Sequence, residues 1–456
     1  MGFSFVQLCI GVERMTKFVI FGLGMVGRSF LRLAHENALV NNKNWYAVEK
    51  NPDLVDLFCQ YGGKAQNYKT IDVQIDNYEQ IFSFLDAEDY LLDMSSFQGN
   101  TRLLKFCMKR NIHYLSTCSL PLEKDGQAVP DYHDFAIYRQ IKEQKISSKA
   151  TSIIEFGMNP GMVSCFMKQA IKAIICEDDT PFVSNHRGEL QSLINGKNYA
   201  KAAQLLGLKV IHISDIDTTQ VNFTARPNCV YSTWNLEAFC DETTTLSEIS
   251  LGSDVSFSIY EGLIDQYNLE DGYLRLNKSA TLVTDQSFSP FGSFVGHIVP
   301  HEETYTIPYF LSIYENGKLV YKPTAFFVYR PCDLALSSLK AECKHNFSGS
   351  SEHLISLPEI ASGGEAVGIV LDGENFKTRY FGNKLEVPLA HDTPTILQVS
   401  ASAFAAFRYM LDYPNQGFLL PEELDDEKML AYAKPYLKEY ITFTCPKLER
   451  RFLKPA

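Results

Sequence analysis

At 456 residues the chain is long enough for two domains and a large buried core. An apolar fraction of 45% with 21% charged residues excludes a disordered chain, and no apolar run reaches membrane-crossing length. Lysine and arginine number 42 against 54 aspartates and glutamates, and the resulting charge of −12 argues against nucleic acid and tolerates a cationic small molecule.

The eleven cysteines form no C-x-x-C pair and no zinc-spaced Cys/His cluster, so a reducing cytoplasm and no metal site are expected. Residues 1–14 lack the basic segment of a secretory signal and read as an extension, with Met15 an equally good start.

In chain order, Phe18-Val19-Ile20-Phe21 is a short apolar run ending in glycines, the pattern of a buried parallel strand. A helix with Phe30, Leu31 and Ala34 on one face follows, then a strand at 45–49 and a helix from Asn51-Pro52 to about 61. Residues 90–93, 113–117 and 152–155 read as strands, separated by helices at 100–110 and 132–144. This alternation specifies an α/β unit with a Rossmann-type, doubly wound parallel sheet. The rhythm then changes. Extended runs at 209–215 and 219–233, a hairpin on Asn316-Gly317, and Asp372-Gly373 between two alternating runs indicate a second α+β domain with a mainly antiparallel sheet. From about 396 the chain is expected to be mostly helical. The expected organisation is a nucleotide-binding domain over 15–155 plus about 396–456, and a substrate-binding domain over 156–395.

Gly22-Leu23-Gly24-Met25-Val26-Gly27 has the G-x-G-x-x-G spacing of a dinucleotide loop. Glycines permit a tight strand-to-helix turn and close approach of backbone amides to a pyrophosphate, and the helix N-terminus adds partial positive charge. The pattern alone is weak, but here it follows a strand, opens a helix, and is followed by Glu49 at the end of the second strand. A carboxylate there accepts hydrogen bonds from ribose hydroxyls and repels a 2′-phosphate, so NAD is expected rather than NADP. Asp93, Ser95, Ser96 and Thr117 follow later strands at the edge that faces a cofactor; for the first three, loop capping is an equal alternative.

The segment Phe156-Gly157-Met158-Asn159-Pro160-Gly161-Met162-Val163-Ser164, continuing Phe166-Met167-Lys168-Gln169-Ala170, resembles the N-P-G-M-V-S-x-F-x-K-Q-A stretch of bacterial homospermidine synthases, in the saccharopine dehydrogenase-like group. Further stretches agree in order: 206–217 (LGLKVIHISDID), 232–239 (STWNLEAF), 329–333 (YRPCD), 397–400 (LQVS) and 413–417 (YPNQG). The resemblance runs from about residue 16 nearly to the end. It implies that putrescine is oxidised by hydride transfer to NAD, that the imine loses ammonia to a second amine (putrescine or spermidine), and that the retained NADH reduces the new imine, with no net redox. It also implies a homodimer.

The same resemblance places Trp234, Glu248, His301, Glu303 and Asn159 in the site, and Glu237, three residues after Trp234, is within reach of it if the segment turns. An indole face over a desolvated ammonium or iminium is worth ~2 kcal/mol. A histidine titrating near about 6.5 would move protons during imine formation. Glu303 would orient it or bind an ammonium, and Asn159 would lie by the nicotinamide while also capping a helix. Glu189, after Arg187, and Glu365 are further candidates of lower weight. Two acidic positions of the family pattern are replaced, by Leu120 and near Phe97, with Glu123 a possible substitute. The alternative reading is an NAD(P)-dependent dehydrogenase of the saccharopine or carboxynorspermidine type, whose carboxylated substrates would need arginines. A catalytically silent NAD-binding sensor is a third.

Overall fold

The computed structural model describes residues 15–40, 44–117, 130, 132–144, 148–342 and 350–448. Leu120 and Glu123 lie outside these described residues. Two large sheets organise the rest. The first contains β1 (Lys17–Phe21), β2 (Asn44–Glu49), β3 (Tyr68–Thr70), β4 (Tyr90–Asp93), β5 (His113–Ser116) and β6 (Ser152–Ile153) in the order 3-2-1-4-5-6, completed by Phe418–Leu419 beside β6. All its pairings are parallel. This is the doubly wound order whose carboxyl edge receives a dinucleotide.

The expected elements are present, with instructive differences. The segment after Asn51 is a 3-10 turn, Pro52–Leu54, capped by the Asn51 side chain, before the short helix Val55–Gln60. β3 was not anticipated, because three half-exposed residues carry too little periodicity. β6 keeps only two residues, since Glu155 adopts φ 51° and turns the chain away from the sheet.

The second sheet has ten strands and is mostly antiparallel. Its central strand β7 (Leu208–Asp217) pairs antiparallel with Gly364–Gly373 and parallel with Thr324–Arg330. The hairpin Ile313–Glu315/Lys318–Tyr321 turns on Asn316 and Gly317, with φ of 52° and 77°, as a two-residue I′ turn requires. The C-terminal part is less helical than expected. Helices Pro394–Asp412 and Asp426–Leu437 are followed by a strand, Tyr440–Thr444, which joins the second sheet beside Arg379–Glu386. Among the described residues no helix is long and apolar enough to cross a membrane.

One continuous core joins the two sheets. Phe18 and Trp45 of the first, with Phe30 of the helix Met25–Glu36, meet Phe404 and Phe407 of the helix Pro394–Asp412. The core passes through the buried helix Met162–Glu177 to Ile211, Ile213 and Phe327 of the second. Alternation along β7 sets the site. Ile211 and Ile213 share a face with Asp215 and Asp217, so the face that begins as core ends in two buried carboxylates.

Lys322 is an exception to the apolar interior. It is 4% exposed, and its ammonium donates to the Asp271 carbonyl. Burial pulls its pKa down to about 7, with the Asp271 charge opposing. A folded-state value below the ordinary 10.5 means that the stability held above the unfolded pKa is lost as pH falls through about 7. Thermal melts should therefore show a decline between pH 10 and 7 that is flatter in Lys322→Met; an unchanged slope would mean that the amine is solvated.

Candidate active site

The glycine loop is built as the motif requires. Gly22 sits at φ 86°, and its amide donates to the Val48 carbonyl, tying the loop to β2. A Cβ at Gly27 would lie 2.2 Å from the Gly22 carbonyl oxygen, and one at Gly22 would lie 2.8 Å from the Ser95 Cα. Gly24 precedes the helix Met25–Glu36 and is different: a Cβ there meets nothing within 4 Å. Met25 and Val26 form the helix's first turn, where amides have no intrahelical acceptor. Glu49 closes the loop. One carboxylate oxygen accepts from Leu23 N at 2.6 Å and the other from Asn51 N at 2.9 Å, which leaves each oxygen a further lone pair. Loop, helix start and carboxylate fit a dinucleotide.

The residues after β4 do other work. Asp93 is 1% exposed and accepts from the Ser95 amide and hydroxyl, the Asn100 amide group and the Tyr114 hydroxyl. These bonds fill the carboxylate's acceptor capacity and cap the 95–100 turn, so of the two roles open to Asp93 the geometry favours the structural one. Burial still raises its pKa to about 6. Ser95 backs Gly22, while Ser96 is exposed. Phe97 is buried against Phe21 and Tyr78, so an apolar contact stands where the family pattern has an acid. Thr117 continues β5, its amide donating to the Asp93 carbonyl, and its own carbonyl lies 3.5 Å from a Cβ placed on Gly157.

Asn159 follows the first sheet and reaches across to the second. The expected helix-capping role is not what the geometry shows: Gly161, at φ 122°, occupies the cap position, without a side-chain bond. The Asn159 side chain instead donates to Asp215 Oδ2 at 2.9 Å. Around this bond the face of the second sheet collects polar groups. Asp217 accepts from Thr233 Oγ1 at 2.8 Å and Thr219 N at 2.8 Å. Glu365 lies opposite Asp217, and Tyr329 is in register with Asp215. The Tyr329 hydroxyl receives the Trp234 indole N–H at 3.3 Å. Trp234 is half-buried; the other tryptophan, Trp45, is core, stacked on Phe18. Burial and neighbouring charge push Asp215 up to about 7 and push Glu365 up as well, and burial alone raises Asp217.

His301 stands beside this face, edge-on to Phe327 at 4.7 Å. Its Nδ1 bonds Glu303 and lies 3.4 Å from Glu302, and its Nε2 lies 4.0 Å from Glu242. Burial favours the neutral ring, but these three carboxylates outweigh it and hold the imidazolium well above the ordinary range. A histidine titrating near neutrality is therefore replaced by a standing cation. The ligand atoms of His301, Glu302 and Glu303 lie within 4.8 Å of one another, and the imidazolium serves as the positive centre of that cluster.

Three other carboxylates were expected in the site. Glu237 is exposed in the first turn of the helix Leu236–Thr244; Glu242, further along, is the one that faces His301. Glu248 is buried, but it is bonded by the Tyr305 hydroxyl and lies 3.8 Å from the Arg275 guanidinium. Glu189 is exposed on the helix Pro181–Asn195, where Arg187 caps the carbonyls of Cys176 and Asp178. Asp215, Asp217 and Glu242 were not singled out in the sequence. The available signal was Asp215-x-Asp217: two acids on one face of a strand whose earlier residues are core.

Residues 18–150 match the family model described as saccharopine dehydrogenase NADP binding domain. Homospermidine synthase of Mesorhizobium japonicum is 25% identical, covering 95% of this chain and 91% of its own. Homospermidine synthase of Blastochloris viridis is 24% identical, over 92% and 89%. The crystal structure of homospermidine synthase from Legionella pneumophila, in complex with NAD, superposes with a TM-score of 0.80 at 24% identity, covering 94% of this chain and 91% of that one. In sequence over nearly its whole length, and in fold, this chain is similar to the homospermidine synthases.

Proposed function

We propose that this protein is a homospermidine synthase that uses NAD as a retained redox group. The observation that carries the reading is the Asn159–Asp215 contact, where the carboxyl edge of the nucleotide-binding sheet meets a buried face of carboxylates rimmed by Trp234. A linear diamine is a flexible dication, and carboxylates with an aromatic face are the groups that bind one. NAD, when bound, would accept a hydride and later return it. Gly22, Gly24, Met25, Val26, Gly27 and Glu49 would hold it, the last favouring an unphosphorylated ribose. Asp215 and Asp217 would bind an ammonium, Trp234 would cover the iminium, and the His301–Glu303 pair would orient the amine from the other side.

The residues outside the first sheet's edge strands, about 156–395, form the substrate unit on this reading, with the strand Tyr440–Thr444 added to its sheet. Putrescine and other polyamines are the proposed substrates, in a cytoplasmic homodimer. Dehydrogenation of a carboxylated substrate is less well supported, since Arg187 is engaged in capping a helix.

Purified protein given NAD and putrescine, without added reductant, should form homospermidine and ammonia. Mass spectrometry of the products checks this; a mixture without a secondary amine at any NAD concentration sinks the reading.

A further inference from the structure

We propose that Asp215 and Glu365 form a dyad sharing one proton, and that this dyad relays a proton between the two amines when ammonia leaves. The inference deepens the synthase reading and rests on it for the reaction step. The geometry is independent of it. Asp215 and Glu365 project from neighbouring antiparallel strands to the same face, one diagonal step apart. Both are at least 96% buried, and their carboxyl groups are close enough to act on each other's charge. Asp215 Oδ1 and Glu365 Oε2 meet no N–H or ordinary O–H donor among the described residues. Two like charges buried side by side on neighbouring strands repel each other without water to screen them, so one of the pair holds a proton.

The surroundings keep that arrangement. Asn159 donates to Asp215. Asp217 on β7 adds like charge, while Tyr329 faces the pair from the adjoining strand, its hydroxyl pushed well above the ordinary range by burial and the carboxylate charges. His301 is the positive group facing Asp215 and steadies the remaining anion. Held as an imidazolium between Glu303, Glu302 and Glu242, it is not available as a base.

The exchange of amines needs both an acid and a base. The second amine attacks the iminium carbon; a C–N bond forms and the attacking nitrogen becomes cationic. That nitrogen must lose a proton and the original one must gain a proton. The original C–N bond then breaks with its electron pair on nitrogen, ammonia leaves, and the lone pair of the new nitrogen forms the new iminium. The dyad takes one proton and gives one, so it ends unchanged.

Glu365→Gln keeps the shape but removes the mobile proton. On adding putrescine, NADH absorbance should rise within about twofold of the wild-type rate and then persist, while homospermidine turnover falls about 100-fold, within the usual range for general acid–base catalysis. Asp215→Asn, which removes the base, should slow turnover likewise. An infrared difference spectrum, wild type minus Glu365→Gln at neutral pH, should show a protonated-carboxyl band, with circular dichroism confirming the fold of both proteins. Turnover in Glu365→Gln within twofold of wild type overturns the relay, as does loss of NADH formation in step with turnover. Absence of the infrared band overturns the dyad whatever the protein makes. A wild-type protein that shows the band but makes no homospermidine overturns the synthase reading and the relay together, and leaves the shared proton standing.

Discussion

Gly24→Ala should weaken NAD binding by at least about tenfold without lowering the melting temperature, whereas Gly27→Ala should weaken it by ~100-fold and lower the melting temperature as well. The contrast follows from where each Cβ would point. At Gly27 it would stand 2.2 Å from the Gly22 carbonyl oxygen, a backbone atom, so the strand-to-helix turn must open. That displaces Gly22, whose amide is bonded to Val48, and Leu23, whose amide is bonded to Glu49. One substitution thus disturbs the turn and the ribose-binding carboxylate together; about 2.8 kcal/mol corresponds to the hundredfold loss. At Gly24 the backbone has φ −61°, open to any residue, and a methyl group meets no protein atom within 4 Å. Any affinity lost there comes from contact with the ligand itself. Calorimetric titration with NAD, beside thermal melts of the free protein, separates the two. Unchanged affinity in Gly24→Ala would place the pyrophosphate elsewhere.

The nucleotide half was legible because its signals are local. A glycine turn, an apolar strand and an acid at the end of the next strand lie within 33 residues, Lys17 to Glu49, and each is dictated by backbone sterics or by charge. Asn159 and Trp234 were reached through longer stretches of resemblance, not from spacing. The carboxylate face was harder to see because it is made by sheet pairing. Asp215 and Glu365 are 150 residues apart, and only the antiparallel register of β7 with Gly364–Gly373 makes them neighbours. His301 shows the same limit in another form. Its sequence neighbours suggested a proton carrier, but the third carboxylate beside it, Glu242, arrives from a distant helix and completes the set that keeps the ring charged. Glu237 and Glu242 lie on one short helix, and five residues of helical rotation carry the first to solvent and the second to the site. Without a known helix axis, the glutamate nearer the tryptophan in sequence was the natural and misleading choice.

Trp234→Ala should lower turnover by ~30-fold while leaving NAD affinity within about twofold of wild type. The tryptophan is half-buried, and its indole N–H is fixed by the Tyr329 hydroxyl, which sits in register with Asp215. The ring is therefore held at the rim of the carboxylate face. A cation over an indole face in a desolvated site is worth ~2 kcal/mol, which converts to the thirtyfold expected. The effect should fall on turnover because the positive charge becomes least solvated and most dependent on the ring when putrescine has become an iminium. Trp234→Phe keeps a ring face but gives up the bond to Tyr329 and part of the electrostatic attraction, so it should fall between wild type and alanine. Steady-state rates with putrescine, set beside calorimetric NAD titrations, test the series. A parallel loss of NAD affinity and turnover would make Trp234 a structural residue, and equal rates for the phenylalanine and alanine variants would show that the hydrogen bond to Tyr329, not the aromatic face, carries its role.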